Sequence, residues 1–412
     1  MRDQPLPDSI CLEGTPAQVG TAFGASNRRD VARGVEAYYR AMQEERHRGP
    51  AAVRAAGETY LRLVAQFAPH WLTEAEALAR AAGVEPERYL LYQGAKYRGI
   101  NRPDCFSWTV GPERTTGRCT MIHKNRDNAA RPQCAYMKAV HQRGRRCYRF
   151  LANGDTSDMG LMMAVNEKGL AAVADQGHKD PHPRWRGMMN PDVLRLIIEQ
   201  AADVPEALEL LREVQAQALY AGGDIATYWL FADRHGRGLR VYQFHDHMAR
   251  TASRRGLLVM RDQDPRGTLV KRTLAAARAG VEAGLMNRLS RQDPVLAASN
   301  ISCFTAVIPA RQTELFTYAW FAVNHARNTV YVPLYMGVTA TPRVLLDGTL
   351  SEYSMRPLGT PPTLQDDLAA AGLDPEGVEH DMEAERALFE AEARRALAAS
   401  GSAAAQAVLT AG

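Results

Sequence analysis

Apolar residues recur at helical spacing through the first hundred positions of the chain. Val31, Val35, Tyr38, Tyr39 and Met42 form one stripe over 29–47, and Val53, Tyr60, Leu61, Leu63 and Val64 form another over 51–67. Ahead of them, GTPAQVGTAFG (14–24) offers Thr15 as an N-cap and Pro16 at the first helical position, where its missing N–H costs nothing. The spacing predicts a helix there. Gly20 and Gly24 lie four apart on one face of it, which lets another backbone come close. Thr73 and Glu76 have capping-box spacing, Gly83 is a helix stop, and a short helix is expected over 86–96. The segment 1–104 therefore reads as helical.

The pattern changes at Cys105. Short aromatic and β-branched runs separated by turn signals predict strands near 105–110, 119–125, 134–142, 146–152, 159–166 and 169–175. The links PERTTGR, RGRR and NEKG are short enough for hairpins, so the sheet is expected to be largely antiparallel. Helices at 190–202 and 204–217, strands at 226–234 and 238–244, a helix at 268–284 and a last hairpin within 314–335 complete a layered α+β domain, 105–356. The tail, 357–412, reads as one or two surface helices fraying into SGSAAAQAVLTAG.

Composition narrows the class. A 46% apolar and 23% charged chain of 412 residues with net charge +4 is neither disordered nor suited to nucleic acid. No apolar run approaches the roughly 18 residues of a membrane span, and the start lacks a secretory signal. The six cysteines (11, 105, 119, 134, 147, 303) form no C-x-x-C pair, which fits a reducing, cytoplasmic setting. His245 with His247, and Cys119 with His123, share strand faces but lack further ligands, so no metal is expected. Arg143-Gly144-Arg145-Arg146 could meet a phosphate, although a solvated hairpin tip is the better reading. Walker, Rossmann and G-x-S-x-G patterns are absent.

Cys105 carries the candidate chemistry. A thiol at the head of a strand becomes an N-terminal residue if the Asp104–Cys105 bond is cut. Its own α-amine, with a pKa of about 7.7–8.0, can then accept the thiol proton. A buried structural cysteine is the ordinary alternative.

The order of motifs resembles the isopenicillin N acyltransferase (penicillin acyltransferase) family of Ntn hydrolases, relatives of choloylglycine hydrolase and acid ceramidase. The G-T-P…G…G pattern stands at Gly14, Thr15, Pro16, Gly20 and Gly24, the cysteine at 105, and a basic-Asn-x-Asp signature at Lys124-Asn125-Arg126-Asp127. VNEKGLAAVADQ (165–176) and WFAVNHARNTVYV resemble later family segments. The resemblance implies a four-layer αββα Ntn-hydrolase fold with an N-terminal helical pro-segment. It also implies Cys105 as nucleophile, Asp127 orienting the amine, Asn125 fixing the strand end and Lys124 polarising the thiol. Asp175-Gln176 falls where relatives place an oxyanion-binding Asn, and Gln176 could donate there whereas ionised Asp175 could not.

Three departures stand out. Leu258-Val259-Met260-Arg261-Asp262 replaces a family segment containing Asn, and Asn300-Ile301-Ser302-Cys303-Phe304 replaces one containing Arg. Asp104 precedes the cut where the penicillin enzyme has Gly. Arg261 is the candidate to replace a missing group in space. The expected function is amide hydrolysis or N-acyl transfer on a small molecule through a Cys105 thioester. No cofactor is expected, an acyl-CoA co-substrate is left open, and the cleaved N-terminal segment is the expected partner in a heterodimer. The alternatives are an uncleaved cysteine hydrolase served by His123 or His178, and an inactive binding scaffold.

Overall fold

Alternation along the strands sorts the side chains into three cores, and so sets the layers. In the computed structural model, Ala171 and Val173 face a core between two sheets, while Leu170, Ala172 and Ala174 face a second core shared with helices. The structure describes residues 7, 9–44, 50–96, 105–184, 187–253, 256–354 and 361–412.

The first sheet runs β1 (Ser9–Gly14), β4 (Gln133–Val140), β5 (Phe150–Asp155), β6 (Met163–Asn166), β7 (Leu170–Arg184), β8 (Gly223–Asp233), β9 (Gly238–Gln243) and β10 (Met248–Ser253). The second runs β11 (Leu257–Val259), β2 (Phe106–Val110), β3 (Thr120–Asp127), β12 (Asn300–Ile308), β13 (Tyr318–Val323) and β14 (Val332–Tyr335). All named pairs are antiparallel except β1 with β4. Across the gap, β2 and β3 lie over β7 and β8.

Helices α1 (Pro16–Ser26), α2 (Arg28–Glu44), α3 (Pro50–Phe67), α4 (His70–Ala82), α5 (Pro86–Ala95), α6 (Asn190–Gln200) and α7 (Val204–Ala216) belong to the outer side of the first sheet. On the outer side of the second, α8 (Pro265–Ala276), α9 (Ala283–Ser290), α10 (Thr313–Phe316), α13 (Pro375–Ser400) and α14 (Ser402–Ala411) bury Val270, Met286, Phe316, Ala393 and Leu409. Two short helices, α11 (Thr349–Ser354) and α12 (Leu364–Ala370), precede the last pair. This is the expected stacked αββα arrangement.

Several expectations need correction. The first hundred residues are not purely helical, because SICLEG forms β1 and adds an edge to the first sheet. Thr73 does not cap a helix: α4 begins at His70 after Pro69, leaving Thr73 inside it, while Gly83 ends it at φ +75° as expected. The helix over 268–284 is two, since Gly280 at φ +104° separates α8 from α9. The end of the tail does not fray, because Ala405 and Leu409 of α14 are buried. Strand β12 was not expected at all: NISCFTAVI is buried on both faces and so has no alternation to read.

The N-terminal helices are locked to the rest by backbone proximity and buried charge. A Cβ built on Gly20 would lie 2.1 Å from Glu74 O, and one on Gly24 would lie 2.2 Å from Leu78 O, so α1 and α4 touch through their backbones. Glu74 on α4 is fully buried and accepts from Lys138 on β4 (2.7 Å) and Arg195 on α6 (2.5 Å). Its carboxyl is held below the usual range because the attraction of Arg195 and Lys138 outweighs the desolvation that is the largest single influence. Replacing Gly24 with Ala forces the two helices apart. The expected cost is about 1–3 kcal/mol, read as a lower urea midpoint with an unchanged slope.

Candidate active site

Cys105 stands immediately before β2. Strand alternation sends Phe106, Trp108 and Val110 outward into the helical core, and leaves Cys105, Ser107 and Thr109 facing the gap between the sheets. Cys105 is 2% exposed. Its sulfur accepts from Asp127 N (3.4 Å) and lies 3.6 Å from Asp127 O. Arg261, just past β11, donates to Cys105 O at 2.6 Å.

On β3, Lys124 points into the same gap as Ile122. It is fully buried and donates to Ala174 O at 2.7 Å and to Asp175 Oδ1, both on β7. Ser107 Oγ also donates to Asp175 Oδ1, at 2.8 Å. Asp175 Oδ2 has no donor among the described residues. Burial pushes the Cys105 thiol up; Lys124 draws it down, and Asp175 and Asp127 push it up again.

The sequence candidates thus divide. Cys105, Lys124, Asp127, Asp175 and Arg261 come together. Asn125 alternates to the outer face, where its Nδ2 donates to Ser290 O (3.0 Å) and Val295 O (3.2 Å), tying β3 to α9 and the loop that follows. Gln176 alternates away from Asp175, just before the β7–β8 register shifts, so Asp175 is the one that meets Lys124. Cys119 lies at the far end of the β2–β3 hairpin, bonded to Thr115. Asp104 lies outside the described residues.

His123 is across the sheet from the Cys105 thiol. It stacks on Trp108 at 4.2 Å and bonds Thr305 and Asn125, and burial pushes it down to about 3. His178 is exposed, edge-on to Tyr228 and Tyr242. His245 pairs with Asp180 and His247 with Asp246. In the basic turn, Arg145 caps α3 through Phe67 O and Gln66 O, and Arg146 pairs with Glu206.

Three features were missed in the sequence. Asn300, in a segment read only as a departure, donates to Asp127 Oδ1 (3.1 Å) and Arg126 O (3.2 Å), and accepts from Ala326 N (3.1 Å). Tyr228 is the cross-strand neighbour of Asp175, and its ring stacks on Tyr242 at 4.1 Å. With Phe244 and His247 the rings make a half-buried aromatic wall from the floor of the gap to the surface. Strand parity in β8 and β9 is the signal that would have found it. Finally, His70, Cys147 and Glu199 bring ligand atoms within 4.8 Å of one another. Glu199 is already committed to Trp71 and Arg195, and a guanidinium there suits no added cation.

Residues 114–239 match the family model described as acyl-coenzyme A:6-aminopenicillanic acid acyltransferase, a span containing Lys124, Asn125, Asp127 and Asp175. No curated protein matches. Among solved structures, penicillin V acylase from Agrobacterium tumefaciens is similar at 11% identity and a TM-score of 0.41, covering 56% of this chain and 86% of its own. The Caenorhabditis elegans N-acylethanolamine-hydrolyzing acid amidase ortholog gives 12% and 0.35 over 50% and 93%. A variant of conjugated bile acid hydrolase from Clostridium perfringens gives 10% and 0.37 over 56% and 92%. Over residues 114–239, less than a third of its length, the chain is thus similar to the acyl-coenzyme A:6-aminopenicillanic acid acyltransferase family.

Proposed function

We propose that the protein is a self-processing N-terminal-cysteine amidohydrolase or N-acyltransferase that acts on a small-molecule amide through a thioester at Cys105. The observation that carries this reading is the placement of Cys105 at the head of β2, with Asp127 N–H on its sulfur and Lys124 facing the same gap.

In the maturation step the Cys105 sulfur attacks the Asp104 carbonyl, the C–N bond breaks with its nitrogen taking a proton, and water hydrolyses the resulting thioester. The freed α-amine then takes the thiol proton. Asp127, held by Asn300, is placed to accept from the ammonium that results. The thiolate adds to the substrate amide carbonyl, and Lys124 offers its charge to the oxyanion. Collapse expels the amine with the proton the α-amine had taken. Water or a second amine then accepts the acyl group from sulfur. An acyl-CoA can enter the same scheme as acyl donor, and the wall of Tyr228 and Tyr242 is placed to line the substrate path.

The N-terminal segment is expected to stay attached after cutting. Strand β1 and the pairs of Glu74 with Lys138 and Arg195 join residues on both sides of the cut. No described helix is long and apolar enough to cross a membrane. The six free thiols are in keeping with a cytoplasmic location.

Purified protein should give two fragments on a denaturing gel, one with the N-terminal sequence CFSW, that co-elute on native size exclusion. Cys105→Ala should stay as one chain. A single intact chain in both would reject self-processing and favour the scaffold reading or a histidine-assisted one. Asn300→Ala should lower amide turnover at least tenfold while KM changes little, because it removes one restraint on Asp127 rather than any substrate contact. Turnover should rise as the pH passes about 7–8, where the α-amine loses its proton, and a His123→Gln variant should leave that rise in place.

A further inference from the structure

Asp175 is an unexpected neighbour for a nucleophile that must generate negative charge. It is fully buried on β7, in the sheet opposite Cys105. Its Oδ1 takes Ser107 Oγ and Lys124 Nζ. Lys124 gives another proton to Ala174 O at 2.7 Å. An ammonium has three protons. Two are fixed by β7, which leaves the third for the space shared with Cys105.

We propose that Asp175 is a positioning residue that pins Lys124 as the cation facing the Cys105 sulfur, so that the pair governs the nucleophile's ionisation as one unit. This rests on Cys105 being the nucleophile. The charged groups facing Cys105 are Lys124 and Asp127 from β3, Asp175 from β7, and Arg261 from beyond β11 through the Cys105 carbonyl.

The sign of one substitution separates this from simple proximity. If Asp175 were only a nearby negative charge, removing it would ease thiolate formation. If it holds Lys124 charged, removing it strands a buried ammonium without a counter-charge, and such a group gives up its proton. The thiolate then loses its cation. Asp175→Asn and Lys124→Met should therefore act in the same direction.

The test is a pH titration by NMR of protein carrying 13C at cysteine Cβ, with the Cys105 signal identified by its loss in Cys105→Ala. Wild type is compared with Asp175→Asn, Lys124→Met and the double variant, with intact mass recorded for each. The expected result is a thiol midpoint raised by about one unit or more in each single variant, a tenfold loss of thiolate at fixed pH, with no further rise in the double. A downward shift in Asp175→Asn, additive shifts, or unchanged midpoints in folded protein would each overturn the proposal. Should the single variants fail to fold, the double, which leaves no lone buried charge, decides alone: a wild-type midpoint overturns the proposal and a raised one upholds it. The titration needs neither cutting nor amide turnover, so an uncut, inactive wild type that still shows these shifts would sink the functional reading and leave standing only the coupling of Asp175 and Lys124 to the Cys105 thiol.

Discussion

A cation buried between two sheets has to be answered by the opposite sheet. Lys124 has no exposure, and removing an ammonium from water costs several kcal/mol even after the protein relaxes. The compensating oxygens, Ala174 O and Asp175 Oδ1, both belong to β7. That requirement restricts how β3 can sit over β7, and β2 follows because it is hydrogen-bonded to β3. Ser107 then falls on Asp175, and Cys105, two residues earlier on the same face, falls beside Lys124. The position of Cys105 is in this sense a consequence of charge neutralisation across the gap.

The same physics attaches the N-terminal segment. Glu74 sits in the helical layer with its two cationic partners on β4 and α6, and Arg195 continues to Glu199 at 2.8 Å. Removing any one of these leaves a buried charge short of a partner, which costs far more than a surface pair is worth. Gly20 and Gly24 let α1 come close enough to α4 for that layer to close. A segment that also contributes a strand is part of the fold rather than a removable leader. Its apolar faces would be costly to expose.

What could be read in the sequence follows from which signals are local. The helical stripes of α2 and α3, the Thr15 cap and the β2–β3 and β8–β9 hairpins depend on residues a few positions apart, and they appear where expected. Strand β12 depends on burial from both sides, and β1 depends on a partner more than a hundred residues away. Neither has a local signature. The site divides in the same manner. Order along the chain singles out Cys105, Lys124 and Asp127, but the choice between Asp175 and Gln176 depends on strand parity, and hydrogen-bond capacity alone points to the wrong one. Arg261 does reach Cys105, through the carbonyl rather than the thiol. Asn300 belongs to the segment that replaces a family segment containing Arg, and it restrains Asp127.

The charge balance around Cys105 bears on which base can serve it. Lys124 and Arg261 oppose Asp127 and Asp175, so the surroundings are close to neutral before any reaction. Bringing a separate base across the sheet would separate charge through a dry interior, and His123, pushed down to about 3 by burial, is a poor proton acceptor at neutral pH. Transfer of the thiol proton to the residue's own amine creates an adjacent ammonium and thiolate with no net change in charge. A buried site that is already balanced tolerates that step better than any other available to it. The same balance accommodates a carboxylate beside the oxyanion of the proposed mechanism: its charge is matched by Lys124, which in that scheme meets the new charge in turn.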